Sequence, residues 1–96
     1  MTWIKTIPIE QAEGHLRRCY EEIYALYPPD YGAEVPSLIR PDGTADRITA
    51  ASSLIPEAMR HGMATLAVLL TPDLPLTRRQ HEMIAAVVSK ENSCFY

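Results

Sequence analysis

The stretch from Thr77 to Tyr96, "TRRQHEMIAAVVSKENSCFY", carries a helix start, an apolar stripe and a thiol in close succession. Thr77 and Gln80 have the spacing of a capping box, in which the hydroxyl and the amide side chain satisfy exposed backbone donors at a helix start. Met83, Ile84, Val87 and Val88 then recur at one, three and four residues, the stripe of an amphipathic helix. This helix is expected to end near Asn92, a residue that tolerates left-handed backbone. Ser93 is a good N-cap for a further helix, which would put Cys94 in a first turn where backbone N–H groups and the dipole favour a thiolate. The alternative for Cys94 is structural, since free cysteine is among the most buried residue types.

Helical spacing dominates the rest of the chain. From Ile9 the apolar positions Ala12, Leu16, Cys19, Tyr20, Ile23 and Tyr27 form one stripe, ended by Pro28 and Pro29. Glu10, Glu13, Arg17, Arg18, Glu21 and Glu22 cover the other face. A second stripe runs through Ile48, Ala51, Ile55, Ala58, Gly62, Leu66 and Leu69, with Pro56 either kinking one long helix or opening a new one. Pro72 and Pro75 close it. Between the two, Pro28, Pro29, Gly32, Pro36, Pro41 and Gly43 predict an irregular connector, the natural wall or lid of a site. No segment reads as a strand, so the expected fold class is all-α, with residues 1–96 as a single helical domain.

Composition excludes several function classes. With 96 residues the chain makes one modestly stable domain, for which a partner subunit would help. The net charge of -3, with nine scattered Lys and Arg, leaves no basic footprint, so no nucleic acid partner is expected. The longest apolar run, Met63 to Leu70, is much shorter than the roughly 20 residues that span a bilayer. The start, "MTWIKTIPIEQ", has no signal-peptide pattern, and two cysteines are too few for a secreted disulfide framework. A cytoplasmic protein without membrane contact is expected, with Cys19 and Cys94 as thiols. No metal or cofactor is expected, because no His, Cys, Asp and Glu cluster has zinc-ligand spacing along the sequence. His15 and His61 read as isolated surface residues, His81 as a solvated one, and Cys19 as a core residue. The tyrosines Tyr20, Tyr24, Tyr27 and Tyr31, mainly along one helix face and its exit, read as core or subunit contact rather than a substrate box.

Leu76, Glu82-Met83-Ile84-Ala85, Val88-Ser89, Asn92, Cys94 and Tyr96 resemble the core motif of the alkylhydroperoxidase D-like branch of the carboxymuconolactone decarboxylase superfamily, above all its peroxidase-related group. Trp3-Ile4, Ile7-Pro8, Ala12-Glu13-Gly14, Leu16 and Tyr20 are similar to that group as well. The likeness covers residues 3–31 and 74–96, with the middle matching loosely. It implies an alkylhydroperoxidase D-like helical bundle that forms trimers or hexamers, and a Cys-x-x-Cys motif followed by a histidine four residues after its second cysteine. It also implies a peroxidase acting on hydrogen peroxide or organic hydroperoxides, recharged by a dithiol on a lipoyl-bearing or thioredoxin-type protein.

Within this resemblance Cys94 matches the first cysteine, the proton donor and resolving thiol, and Glu82 matches the glutamate of the proton relay. A following helix folded back on the Glu82 helix would carry the histidine about 10 Å toward that carboxylate. The carboxylate would orient the imidazole, and the imidazole would draw the proton from a nearby thiol. The 96 residues stop one short of the second cysteine, so the polypeptide as written is expected not to complete a peroxidase cycle, and an incomplete sequence is suspected. Two other readings remain. One is a non-redox lactone decarboxylase-like enzyme, a branch that generally lacks the cysteine motif; the other is a non-catalytic helical assembly domain.

Overall fold

The computed structural model describes residues 3–29 and 47–94, apart from the side chain of Arg47. Among these residues there is no strand, and the architecture is all-α. Four helices follow in order: α1 (Gly14–Leu26), α2 (Arg47–Ala51), α3 (Pro56–Leu69) and α4 (Arg78–Glu91). No described helix is long and apolar enough to cross a membrane. Beyond residue 29, the connector expected over 28–43 lies outside the described residues.

The first helix begins later than its apolar stripe. Ile9–Gln11 form a single 3-10 turn, closed by the Gln11 and Ala12 N–H groups onto the carbonyls of Pro8 and Ile9 at 3.0 and 3.1 Å. Ala12 and Glu13 are then extended, and Gly14 takes φ +53°. That left-handed step is open to glycine without the Cβ penalty of other residues, and it redirects the chain into α1. Leu16, Cys19, Tyr20 and Ile23 follow at the spacing of one helix face, and all are buried. Tyr27 leaves the helix with ψ 136°, as expected of a residue that precedes proline.

Pro56 opens a new helix rather than kinking a long one. It sits in the first turn of α3, where its missing N–H breaks no helical bond. A turn closed by Ser53 N–H onto Ala50 and Ile55 N–H onto Ser52 separates α3 from α2. The buried face of α3 is not the expected one: Met59 and Ala67 are buried and Met63 is half-buried, whereas Ile55, Ala58, Gly62, Leu66 and Leu69 are exposed. The physical reason is that α3 is apolar around most of its circumference, so contact with α1 rather than spacing selects the buried stripe. Met59 joins Leu16, Cys19, Tyr20 and Ile23 in one core, with Ile7, Ile9, Tyr27 and Met63 packed at its edge. Full burial of a side chain such as Ile23 or Met59 stabilises by about 1.5–3 kcal/mol.

The amino-terminal segment is tied across this core by two hydrogen bonds. Ile7 N–H donates to Ser53 Oγ at 2.8 Å, and Tyr20 O–H donates to the Ile7 carbonyl at 2.7 Å. Both side chains are buried, so the strap satisfies polar groups that would otherwise be stranded.

The capping box at Thr77 forms as expected: Gln80 N–H donates to Thr77 Oγ1 at 3.3 Å, and Thr77 N–H donates to Gln80 Oε1 at 2.8 Å. The helix it opens buries none of its residues. Met83, Ile84, Val87 and Val88 are each more than half exposed, at 51, 52, 60 and 53 %.

Candidate functional site

The end of α4 fixes the surroundings of Cys94. Asn92 caps the helix with φ -81°, and the left-handed step falls on Ser93, with φ 50°. Ser93 N–H donates to the Lys90 carbonyl at 3.0 Å and Cys94 N–H to the Ser89 carbonyl at 2.8 Å, the two bonds of a Schellman motif. The sequence reading placed the left-handed residue one position earlier and gave Ser93 the extended backbone of an N-cap. Asn92 keeps a negative φ with its N–H on the Val88 carbonyl at 3.0 Å, and Ser93 takes the step instead. Cys94 is exposed and reduced, at the carbonyl end of α4, where the helix carries partial negative charge. Residues 95 and 96 lie outside the described residues.

Glu82 stands in the second turn of α4, exposed, with its carboxylate 3.6 Å from Arg78 Nε one turn earlier. From Glu82 to the helix end at Glu91 the axis rises about 14 Å, so this acid and Cys94 stand at opposite ends of one rod. The structure does not bring them into direct contact. A relay between them needs an imidazole carried by another segment, the same geometry that the motif spacing implied.

A second cluster lies where α1 and α3 meet. His15 in the first turn of α1 and Cys19 one turn later face Glu57 in the first turn of α3. His15 Nε2 is 2.7 Å from Glu57 Oε1 and 3.6 Å from Cys19 Sγ. Glu57 Oε2 accepts from Arg60 Nη2 at 3.0 Å and lies 3.5 Å from His61 Nε2. Arg60 also reaches toward Glu22, at 3.9 Å. The Arg60 guanidinium, and after it His15, hold the Glu57 carboxyl below the ordinary carboxylate range. Burial, and after it the negative charges of Glu57 and Glu22, push the Cys19 thiol up. Cys19 is therefore a protonated, core-facing thiol at neutral pH.

His15 Nε2, Cys19 Sγ and a Glu57 carboxylate oxygen all lie within 4.8 Å of one another, a grouping that could hold a metal ion. The expectation that His15 is isolated is corrected here. Cys19 is in the core and His15 is exposed, as read, but the α1–α3 contact brings them together with an acid 42 residues away. The available signal was the pair of one-turn spacings, His15 to Cys19 and Glu57 to His61; which helices pack together was not written in either. His81, expected to be solvated, is half-buried, and its Nε2 finds no hydrogen-bond partner among the described residues. Ser53 is buried and its Oγ accepts the Ile7 N–H.

Compared with known proteins, the chain matches no family model, no curated protein and no solved structure.

Proposed function

We propose that the chain contributes the first cysteine and the acid of a thiol-dependent peroxidase of the alkylhydroperoxidase D-like kind, reducing hydrogen peroxide or organic hydroperoxides. The observation that carries this reading is an exposed, reduced Cys94 held in an ordered turn directly after α4, the helix that bears Glu82. In that chemistry a second thiolate attacks a peroxide oxygen, the O–O bond breaks, and the alcohol or water leaves with a proton supplied by Cys94. The attacking sulfur becomes a sulfenic acid. The Cys94 sulfur then displaces water from it to form a disulfide, and an external dithiol, on a lipoyl-bearing or thioredoxin-type protein, reduces the pair again. The second thiol and the imidazole that Glu82 would orient are the parts of this chemistry that Glu82 and Cys94 do not themselves supply. Two free cysteines fit a reducing, cytoplasmic setting for this cycle.

The test is peroxide consumption by the product of the full coding sequence, with a dithiol donor in excess. Cys94→Ser is expected to lower turnover by about 100-fold or more, and Glu82→Gln to lower it by a smaller factor. A protein that consumes no peroxide, or a Cys94→Ser protein that keeps the wild-type rate, overturns the proposal.

The exposed stripe of α4 favours a second reading, a helical assembly domain that joins copies of itself. Met83, Ile84, Val87 and Val88 of α4 are exposed, as are Leu66, Val68 and Leu69 of α3, and exposed apolar surface of this kind marks association sites. A second copy of the chain, in a trimer or hexamer as the resemblance implies, is the proposed occupant. The resemblance implies a trimer or hexamer for the peroxidase too, so what separates this reading from the first is the absence of catalysis.

A further inference from the structure

Three lone-pair donors, an imidazole nitrogen, a thiol sulfur and a carboxylate oxygen, converge at the seam between α1 and α3. If His15 Nε2 carries a proton, it donates to Glu57 Oε1 at 2.7 Å and presents no lone pair to the Cys19 thiol 3.6 Å away. If Nε2 is bare, it can accept from the thiol but sets its lone pair against the carboxylate. A cation among the three atoms would take a lone pair from each.

The spacing is near that of a transition-metal site, with the sulfur and the carboxylate oxygen within 4.8 Å of each other and drawn closer by the ion. Bonds of about 2.0–2.3 Å to nitrogen, oxygen and sulfur place tetrahedral ligand atoms roughly 3.3–3.8 Å apart. The nitrogen–sulfur separation of 3.6 Å already falls in that range. The nitrogen–oxygen pair at 2.7 Å would open by about half an ångström, which a turn of the half-exposed Glu57 side chain supplies. One thiolate, one imidazole and one carboxylate form a set that suits zinc over magnesium or calcium, which prefer oxygen. Two anionic ligands also neutralise a divalent charge. Arg60, on the other carboxylate oxygen at 3.0 Å, is placed as the outer partner that orients a ligand carboxylate.

We propose that His15, Cys19 and Glu57 bind a single zinc-like divalent cation, with a fourth position open to water. On binding, the Cys19 S–H bond gives its proton to solvent and the sulfur bonds the cation. His15 binds as the neutral tautomer with its proton on Nδ1, and no oxidation state changes. The ion clamps the first turn of α3 to the first two turns of α1, so its effect is read as stability.

The test is thermal melting of the chain with zinc chloride or with a chelator, and the absorption spectrum with cobalt(II) alone. Zinc at about 100 times its Kd is expected to raise the Tm by on the order of 10 °C in the wild type and in Cys94→Ser. His15→Gln and Glu57→Gln, both at half-exposed positions, are expected to fold and to lose most of that rise. Cobalt(II) is expected to give a thiolate charge-transfer band in the wild type and in Cys94→Ser, and none in Cys19→Ser. No zinc-dependent melting overturns the proposal, as does a rise that survives in His15→Gln. A cobalt band that disappears in Cys94→Ser also overturns it, because the metal then sits on the terminal thiol. If Cys19→Ser does not fold, the His15→Gln and Cys94→Ser results decide.

Discussion

Tyr20 shows how a single side chain joins three parts of the fold. Its ring is buried and stacks on Tyr24 with centroids 6.1 Å apart, while its hydroxyl donates to the Ile7 carbonyl. Tyr20→Phe removes that donor and leaves the carbonyl shielded, a loss of about 1–2 kcal/mol and a Tm drop of about 5–10 °C, measurable by calorimetry. Glu57 makes its own claim in acid. Its carboxyl is held below the ordinary range by Arg60 and His15, so between the two values the unfolded chain binds more protons than the folded one. The stabilisation is present above the ordinary glutamate value and disappears as pH falls through the lower, folded value. Metal-free protein should therefore melt earlier as pH drops below about 5, and Glu57→Gln should flatten that dependence. Chemistry at this scale was legible where partners are close in sequence. Thr77 and Gln80 declared their pairing, whereas nothing near His15 announced Glu57.

The helices differ in how much of them the sequence could define. α4 was legible at its start, where a capping box sets the limit locally, and to within a residue at its end, where the left-handed step falls on Ser93 rather than Asn92. Thr77→Ala should weaken the first turn of α4 by about 1 kcal/mol. Because α4 buries nothing, that change belongs in local amide exchange, with protection of Gln80 and His81 falling about five-fold while the Tm of the α1–α3 core barely moves. The start of α1 was misread because an apolar stripe continues through Ile9 and Ala12 although the backbone there does not. Gly14 carried the missing signal, a residue suited to a left-handed step placed where the stripe suggested an uninterrupted helix. The face of α3 was illegible for a different reason: Met59 and Met63 compete with Leu66 and Leu69 on nearly equal terms until α1 is in place.

Considered whole, the described residues bury one core between α1 and α3 and leave α4 with its apolar side in water. Homo-oligomerisation through α4 predicts that Val87→Glu lowers the mass seen in sedimentation equilibrium to that of one chain while far-ultraviolet dichroism keeps its helical form. A wild-type chain that is already monomeric, or a variant that stays associated, would count against a second copy as the occupant of α4. The all-α class was legible in spacing and in proline placement. The meeting of His15, Cys19 and Glu57 was not, because it depends on two helices choosing each other across the connector.

The strap through Ile7 has a practical corollary for handling the molecule. Trp3 is wholly exposed and Ile4 largely so, which makes the leading residues a natural seat for an affinity tag or a fluorophore. Trimming the chain back to Pro8 would instead strip Ser53 and Tyr20 of a shared backbone partner in one cut. Limited digestion from the front is thus expected to stall before Ile7 while the molecule is intact and to run through it once the molecule opens, a gel-based gauge of native packing.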